Sequence, residues 1–98
     1  MAKVIDSIRF DEQALRSDPK FLEEVGPGLL VTVDVEQRPT FLVKLGTTVR
    51  VHRPDGTVIE RVVGAVEVWR ANVGLYFPNT EPDEIPRLSK IELPADPS

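Results

Sequence analysis

The chain has 98 residues, of which 41% are hydrophobic and 29% charged, with one histidine and no cysteine. This length suits one domain and argues against an enzyme with separate cofactor and substrate domains. The lack of cysteine excludes disulfides, thiolate metal sites and cysteine nucleophiles. The formal net charge of −4 disfavours a general nucleic-acid binder, which needs a cationic surface.

The amino-terminal residues alternate apolar and charged side chains and lack the continuous apolar core of a signal peptide. No segment approaches the roughly 18–20 apolar residues that a helix needs to cross a bilayer. We therefore expect a cytoplasmic protein with no membrane partner.

Residues 1–28 predict a short helical segment packed on the outside of the domain. Asp11 can cap a short turn, and Asp18 is a capping carboxylate placed before Pro19 at the first helical position. Gly26 ends the helix as a left-handed cap. The apolar stripe of this helix is Phe21, Leu22 and Val25. Four earlier apolar residues fit either a short strand or an extended lead-in: Val4, Ile5, Ile8 and Phe10.

After Gly28 the apolar period falls to two, which is typical of half-buried strands. The predicted strands are Leu29–Val35, Thr40–Val43, Thr47–Arg53, Thr57–Val63, Ala65–Arg70, Val73–Phe77 and Leu88–Leu93. Their connections are shorter than the dozen or so residues of a parallel crossover. We therefore predict a mainly β fold, a small six- or seven-stranded antiparallel β-barrel over residues 29–93, with a disordered tail over 94–98.

The segment Arg53–Thr57, Arg-Pro-Asp-Gly-Thr, predicts a bulged hairpin turn. This turn sets a register that places Arg50 opposite Glu60 and Val51 opposite Ile59.

The same register directs Arg61 inward beside Val49, which conflicts with a hydrophobic core. Arg61 lies either at the rim with its guanidinium in water, or next to a bulge that restores the alternation. We expect the bulge.

Farther along the chain, the period of two predicts which side chains enter the core. The predicted inward residues are Val66, Val68, Val73, Leu75 and Phe77. Glu67 and Trp69 are expected to point outward. Trp69 either anchors a partner or is covered by the amino-terminal helix, and we expect the helix to cover it.

Four segments carry a resemblance to a known family: Gly46–Val51, Gly64–Leu75, Ile85–Arg87 and the strand around Ile91. Together they resemble the second, β-barrel domain of translational GTPases such as elongation factor Tu, over about half of the chain. In that family a Glu, an Arg and an Asn of the matching segment help to bind the aminoacyl end of tRNA. The resemblance assigns these roles to Glu67, Arg70 and Asn72.

The chain also departs from the family pattern. The loop between Arg70 and Asn72 is reduced to Ala71, Thr47 replaces the strand-opening Asp, and Trp69 replaces the histidine that faces adenosine. No GTPase domain is present in these 98 residues. Arg70, Ala71 and Asn72 alternatively form a tight hairpin turn without a binding role.

The residue types needed for catalysis do not form a recognisable set. His52 falls on a strand beside Arg50, which would keep the imidazole neutral and away from any carboxylate. Asp83 and Glu84 are adjacent acids on a predicted loop or single helical turn and lack the glycine and alternating oxygen ligands of a calcium loop. We therefore expect no enzyme activity, no cofactor and no metal.

The sequence favours a noncatalytic binding module whose partner is another protein. Its predicted contact surface is Glu67, Trp69, Arg70, Asn72 and Tyr76. The alternatives are an RNA-end or small-ligand binder, with RNA disfavoured by the net charge, and an acidic immunity or inhibitor protein that neutralises a basic partner.

Overall fold

The computed structural model describes residues 2–34, 45–68 and 72–92. In these ranges the elements are β1 (Ala2–Phe10), α1 (Pro19–Glu24), β2 (Gly28–Asp34), β3 (Thr48–His52), β4 (Val58–Val62), β5 (Ala65–Val68), β6 (Val73–Pro78), a 3-10 turn (Pro82–Glu84) and β7 (Lys90–Glu92). The seven strands described pair antiparallel in one sheet, in the order β4-β3-β7-β1-β2-β6-β5. The prediction of a mainly β, antiparallel fold is confirmed.

The prediction of a closed barrel is wrong for the described residues, because the sheet ends at β4 and β5 and no ladder joins these two strands. The sheet is nevertheless strongly curved. Five strands, β1, β2, β3, β6 and β7, contribute side chains to one buried cluster, and Ile59 of β4 and Val66 of β5 pack against it. The two end strands of a flat sheet of this width would lie nearly 30 Å apart and could not share a core. The predicted strand Thr40–Val43 and the tail 94–98 lie outside the described residues.

The first residues belong to the sheet, which resolves the choice between a strand and a lead-in. Strand β1 lies between β7 and β2, near the middle of the sheet. The segment 1–28 therefore supplies a central strand as well as a helix. Its register with β2 shifts between Val4 and Asp6, at a bulge.

The predicted caps of the amino-terminal segment are confirmed. Asp11 Oδ1 accepts a hydrogen bond from the Ala14 amide at 2.8 Å, and Asp18 Oδ1 accepts one from the Phe21 amide at 3.2 Å. Gly26 follows α1 with a φ of +85°, a left-handed conformation that glycine adopts without strain. These caps matter because a six-residue helix does not persist without them and without tertiary packing.

The predicted hairpin register is also confirmed. Arg50 pairs with Glu60 and Val51 with Ile59, and the Arg53 amide donates to the Thr57 carbonyl oxygen at 2.8 Å. The turn closes with Gly56 at a φ of +91°.

The predicted bulge near Arg61 is wrong, because β3 and β4 pair residue by residue from Thr48 to His52. Arg61 stays on the inner face between Ile59 and Val63, and its guanidinium forms an ion pair with Glu84. The buried part of Arg61 is thereby satisfied without a change of register.

The inward positions on β6 are confirmed, since Val73, Leu75 and Phe77 are all buried. The inward prediction for Val68 is wrong, because its side chain is 67% exposed. Val68 lies on the last strand of the sheet, and no further strand in the described ranges pairs with its outer edge.

An acidic turn, residues 81–84, covers one end of the core. Arg9 donates to both carboxylate oxygens of Glu81, at 3.3 and 3.1 Å, and Arg61 pairs with Glu84. Ile85, the next residue, is fully buried in the core. Two inward arginines and one apolar side chain thus fix the turn over the sheet.

The Glu84 carboxylate makes this end of the protein sensitive to acid. A hydrogen bond from the Glu81 amide, and then the Arg61 guanidinium, lower the pKa of Glu84. The folded state therefore favours ionised Glu84, so this contribution to stability is present above the usual carboxyl pKa of about 4.3 and is lost as the pH falls through the lower folded value. We expect the free energy of unfolding to depend less on pH in Glu84→Gln than in the wild type.

Urea unfolding at about pH 7 and about pH 3 measures this dependence. Glu60→Gln is the control, because Glu60 is exposed and pairs with exposed Arg50. An unchanged acid dependence in Glu84→Gln would contradict the assigned role.

Candidate functional site

An apolar groove lies between the amino-terminal segment and the outer face of the sheet. It has a volume of about 240 Å³ and is open to solvent. We call it the outer groove. Its lining residues are Phe10, Leu15, Asp18, Phe21, Leu30, Ala65, Glu67 and Tyr76.

Tyr76 forms the centre of the aromatic lining. Its hydroxyl donates to the Gly26 carbonyl oxygen at 2.8 Å, which ties β6 to the end of α1. The ring of Phe21 meets the ring of Tyr76 edge-on at a centroid distance of 5.1 Å, and the ring of Phe10 lies tilted at 6.2 Å. Burial raises the pKa of Tyr76, so its hydroxyl remains a donor at neutral pH.

The wall opposite the sheet comes from the turn that precedes α1. Leu15 is buried there, and its amide donates to the Asp11 carbonyl oxygen at 3.2 Å. The Asp11 cap thus holds an apolar side chain over the groove while the neighbouring residues stay exposed.

Two carboxylates add negative charge to this apolar lining. Asp18 is the helix cap, with Oδ1 engaged by the Phe21 amide. Glu67 stands on β5 with an exposed side chain, and within the described part of the chain it has no ion pair or hydrogen bond. The groove therefore combines aromatic rings with carboxylates.

The structure brings together only part of the predicted contact surface. Glu67 and Tyr76 line the outer groove, but Tyr76 is only 4% exposed because the amino-terminal segment covers it. Asn72 is partly buried just before β6 and is not among the lining residues. Trp69 and Arg70 lie outside the described residues.

The predicted contact surface left out six lining residues: Phe10, Leu15, Asp18, Phe21, Leu30 and Ala65. The period of two already placed Leu30 on the face of β2 opposite to Leu29. Leu15 carried no such signal, since only the path of the chain back over β6 brings it to the sheet.

A second polar cluster surrounds His52. The prediction that this imidazole stays away from carboxylates is wrong, because Nε2 lies 3.8 Å from Glu92 Oε2. Arg50 Nη1 lies 4.0 Å from the same oxygen. The cause is the position of β7 beside β3, which places Arg50 opposite Glu92. The side chains of Arg50 and Glu92 are both exposed, and ion pairs of this kind contribute little to stability.

The described ranges contain no group of three or more His, Cys, Asp or Glu side chains placed to hold a metal ion. Within the same ranges, no helix has the length and apolar composition of a membrane span.

These features define a class, a small domain built on one curved antiparallel sheet with an apolar groove on its outer face. In comparisons with protein-family models, curated proteins and solved structures, nothing matches this chain.

Proposed function

We propose that the chain is a noncatalytic binding module that docks another protein at the outer groove. The observation that carries this proposal is the groove itself, an apolar cleft with aromatic walls beside an exposed carboxylate. Aromatic side chains in a desolvated cleft are typical anchors of protein interfaces. A docked side chain would pack against Phe10 and Phe21, which are partly exposed, and exclude water from the groove.

The size of the groove supports a protein partner over a small-molecule ligand. Its volume of about 240 Å³ is below the range of about 300–1,000 Å³ typical of ligand pockets. A single inserted side chain fits this volume better than a small-molecule ligand does.

Charge favours protein over RNA as the partner. Glu67 and Asp18 would repel the phosphates of an RNA end, and the chain as a whole is acidic. The resemblance to the translation-factor barrel is consistent with a binding role in the cytoplasm, and an acidic inhibitor of a basic protein would use the groove in the same way.

Filling the groove tests the proposal. Ala65 lies on β5 in the groove lining, so Ala65→Leu would occupy the space of a docked side chain. We expect immobilised wild-type protein to retain a partner from an extract of the source cells, and Ala65→Leu to retain at least about tenfold less of it.

The matched control is Ala14→Leu, which adds the same side chain at an exposed position outside the groove lining. Thermal unfolding of both variants shows whether they are folded. If the filled variant retains the partner as well as the wild type does, the groove is not the docking site. If capture and a light-scattering concentration series show neither a partner nor self-association, the proposed function fails.

A further inference from the structure

The outer groove carries information about the chemistry of its occupant. Three of its lining residues are aromatic: Phe10, Phe21 and Tyr76. The faces of aromatic rings carry partial negative charge and attract cations, arginine more often than lysine. Phenylalanine and tyrosine also cover the methylene stem of a long basic side chain.

The charges around the groove point in the same direction. Of the stretch from Asp11 to Glu24, Asp18 is the one charged residue in the groove lining. Arg9 of β1 is already paired with Glu81, at 3.1 Å. Glu67 adds a further carboxylate on the sheet side. Both charged residues of the groove lining are therefore carboxylates, one on the amino-terminal segment and one on the sheet.

We propose that the occupant of the outer groove is an arginine side chain from a basic, extended segment of the partner protein. The stem packs on the partly exposed rings of Phe10 and Phe21, and the guanidinium meets the carboxylate of Glu67 at the open side. This inference rests on the proposed function, because it assumes that the groove is a docking site. It adds that recognition depends on the positive charge of the inserted group.

Three short peptides separate charge from shape. They are blocked pentapeptides of sequence Gly-Leu-Xaa-Leu-Gly, in which Xaa is arginine, its neutral isostere citrulline, or norleucine. Each is titrated at millimolar concentration into isotope-labelled full-length protein, and NMR shifts report the site and the affinity. We expect the arginine peptide to shift signals of Phe10, Phe21 and Glu67, and to bind at least about fivefold more tightly than the citrulline peptide.

The substitution Glu67→Gln removes the negative charge and keeps the size of the side chain. We expect it to weaken the preference for arginine over citrulline, leaving the part that the aromatic rings and Asp18 supply. The control is Glu60→Gln, on β4 outside the groove lining, which keeps the preference. Added salt should weaken binding of the arginine peptide and leave the neutral peptides unchanged.

Two results would overturn the inference. If norleucine binds as tightly as arginine, the groove selects an apolar group and the charge is irrelevant, although the docking function survives. If no peptide shifts the groove signals while Ala65→Leu still abolishes partner capture, the arginine assignment fails and the docking site stands. A failure of the proposed function itself would appear in the capture experiment.

Discussion

The Phe77→Ala variant is expected to lose about 3–5 kcal/mol of unfolding free energy, the cost typical of removing a buried aromatic ring. Phe77 lies on β6 with no exposed surface and pairs with Leu29 of β2, so the ring fills the space that the curved sheet encloses. Domains of this size have total stabilities of about 5–15 kcal/mol, so this one change would leave the protein marginal or unfolded. Urea unfolding followed by circular dichroism measures the loss.

Val58→Ala is the matched control for this experiment. Val58 lies on β4 with half of its side chain exposed, so we expect a change within about 0.5 kcal/mol. Comparable losses in the two variants would contradict the placement of the core on the inner face of the sheet.

The second large effect concerns the acidic turn. Ile85→Ala should cost about 2–5 kcal/mol, because Ile85 is fully buried although it follows a loop. Its side chain anchors the turn over the end of the core, so its loss should also weaken the ion pair between Arg61 and Glu84. We expect the acid dependence of stability in this variant to become as shallow as in Glu84→Gln.

The control for Ile85 is Leu88→Ala, three residues farther along and 61% exposed. We expect it to leave stability within about 0.5 kcal/mol of the wild type. A near-neutral Ile85→Ala variant would mean that the turn does not pack on the core in solution.

Local chemistry explains why parts of the fold could be predicted. The hairpin at Arg53–Thr57 follows from proline, aspartate and glycine within one turn, and that turn alone fixes the pairing of Arg50 with Glu60. The helix at Pro19–Glu24 likewise follows from a cap and a proline that are adjacent in sequence.

Long-range contacts explain the failures. Arg61 obeyed the strand alternation, but its partner Glu84 is 23 residues away, so nothing nearby in the sequence showed how its charge is satisfied. A bulge was therefore predicted where none exists. The position of β1 between β7 and β2 joins opposite ends of the chain, and no local pattern selects those neighbours.

The residues of the outer groove also include some that the sequence predicted and some that depend on long-range contacts. Tyr76 and Glu67 were identified from strand alternation and the family resemblance, because both lie on the outer face of their strands. Leu15 reaches the groove because the chain turns back over the sheet after β1. Phe10 is the last residue of β1, whose position in the sheet no local pattern selects. Amino-terminal residues were predicted to cover this face. The cleft between them and the sheet could not be predicted, because it depends on how the side chains pack.

Site-specific photocrosslinking tests most directly whether partners bind at the outer groove. A benzoylphenylalanine placed at position 21 keeps an aromatic ring in the groove, and one placed at position 58 lies on the exposed face of β4. Both proteins are irradiated in the extract used for capture, and the linked peptides are sequenced by mass spectrometry. We predict adducts to an arginine-containing segment of another protein from position 21 and none from position 58. Adducts from position 58 alone would contradict the account.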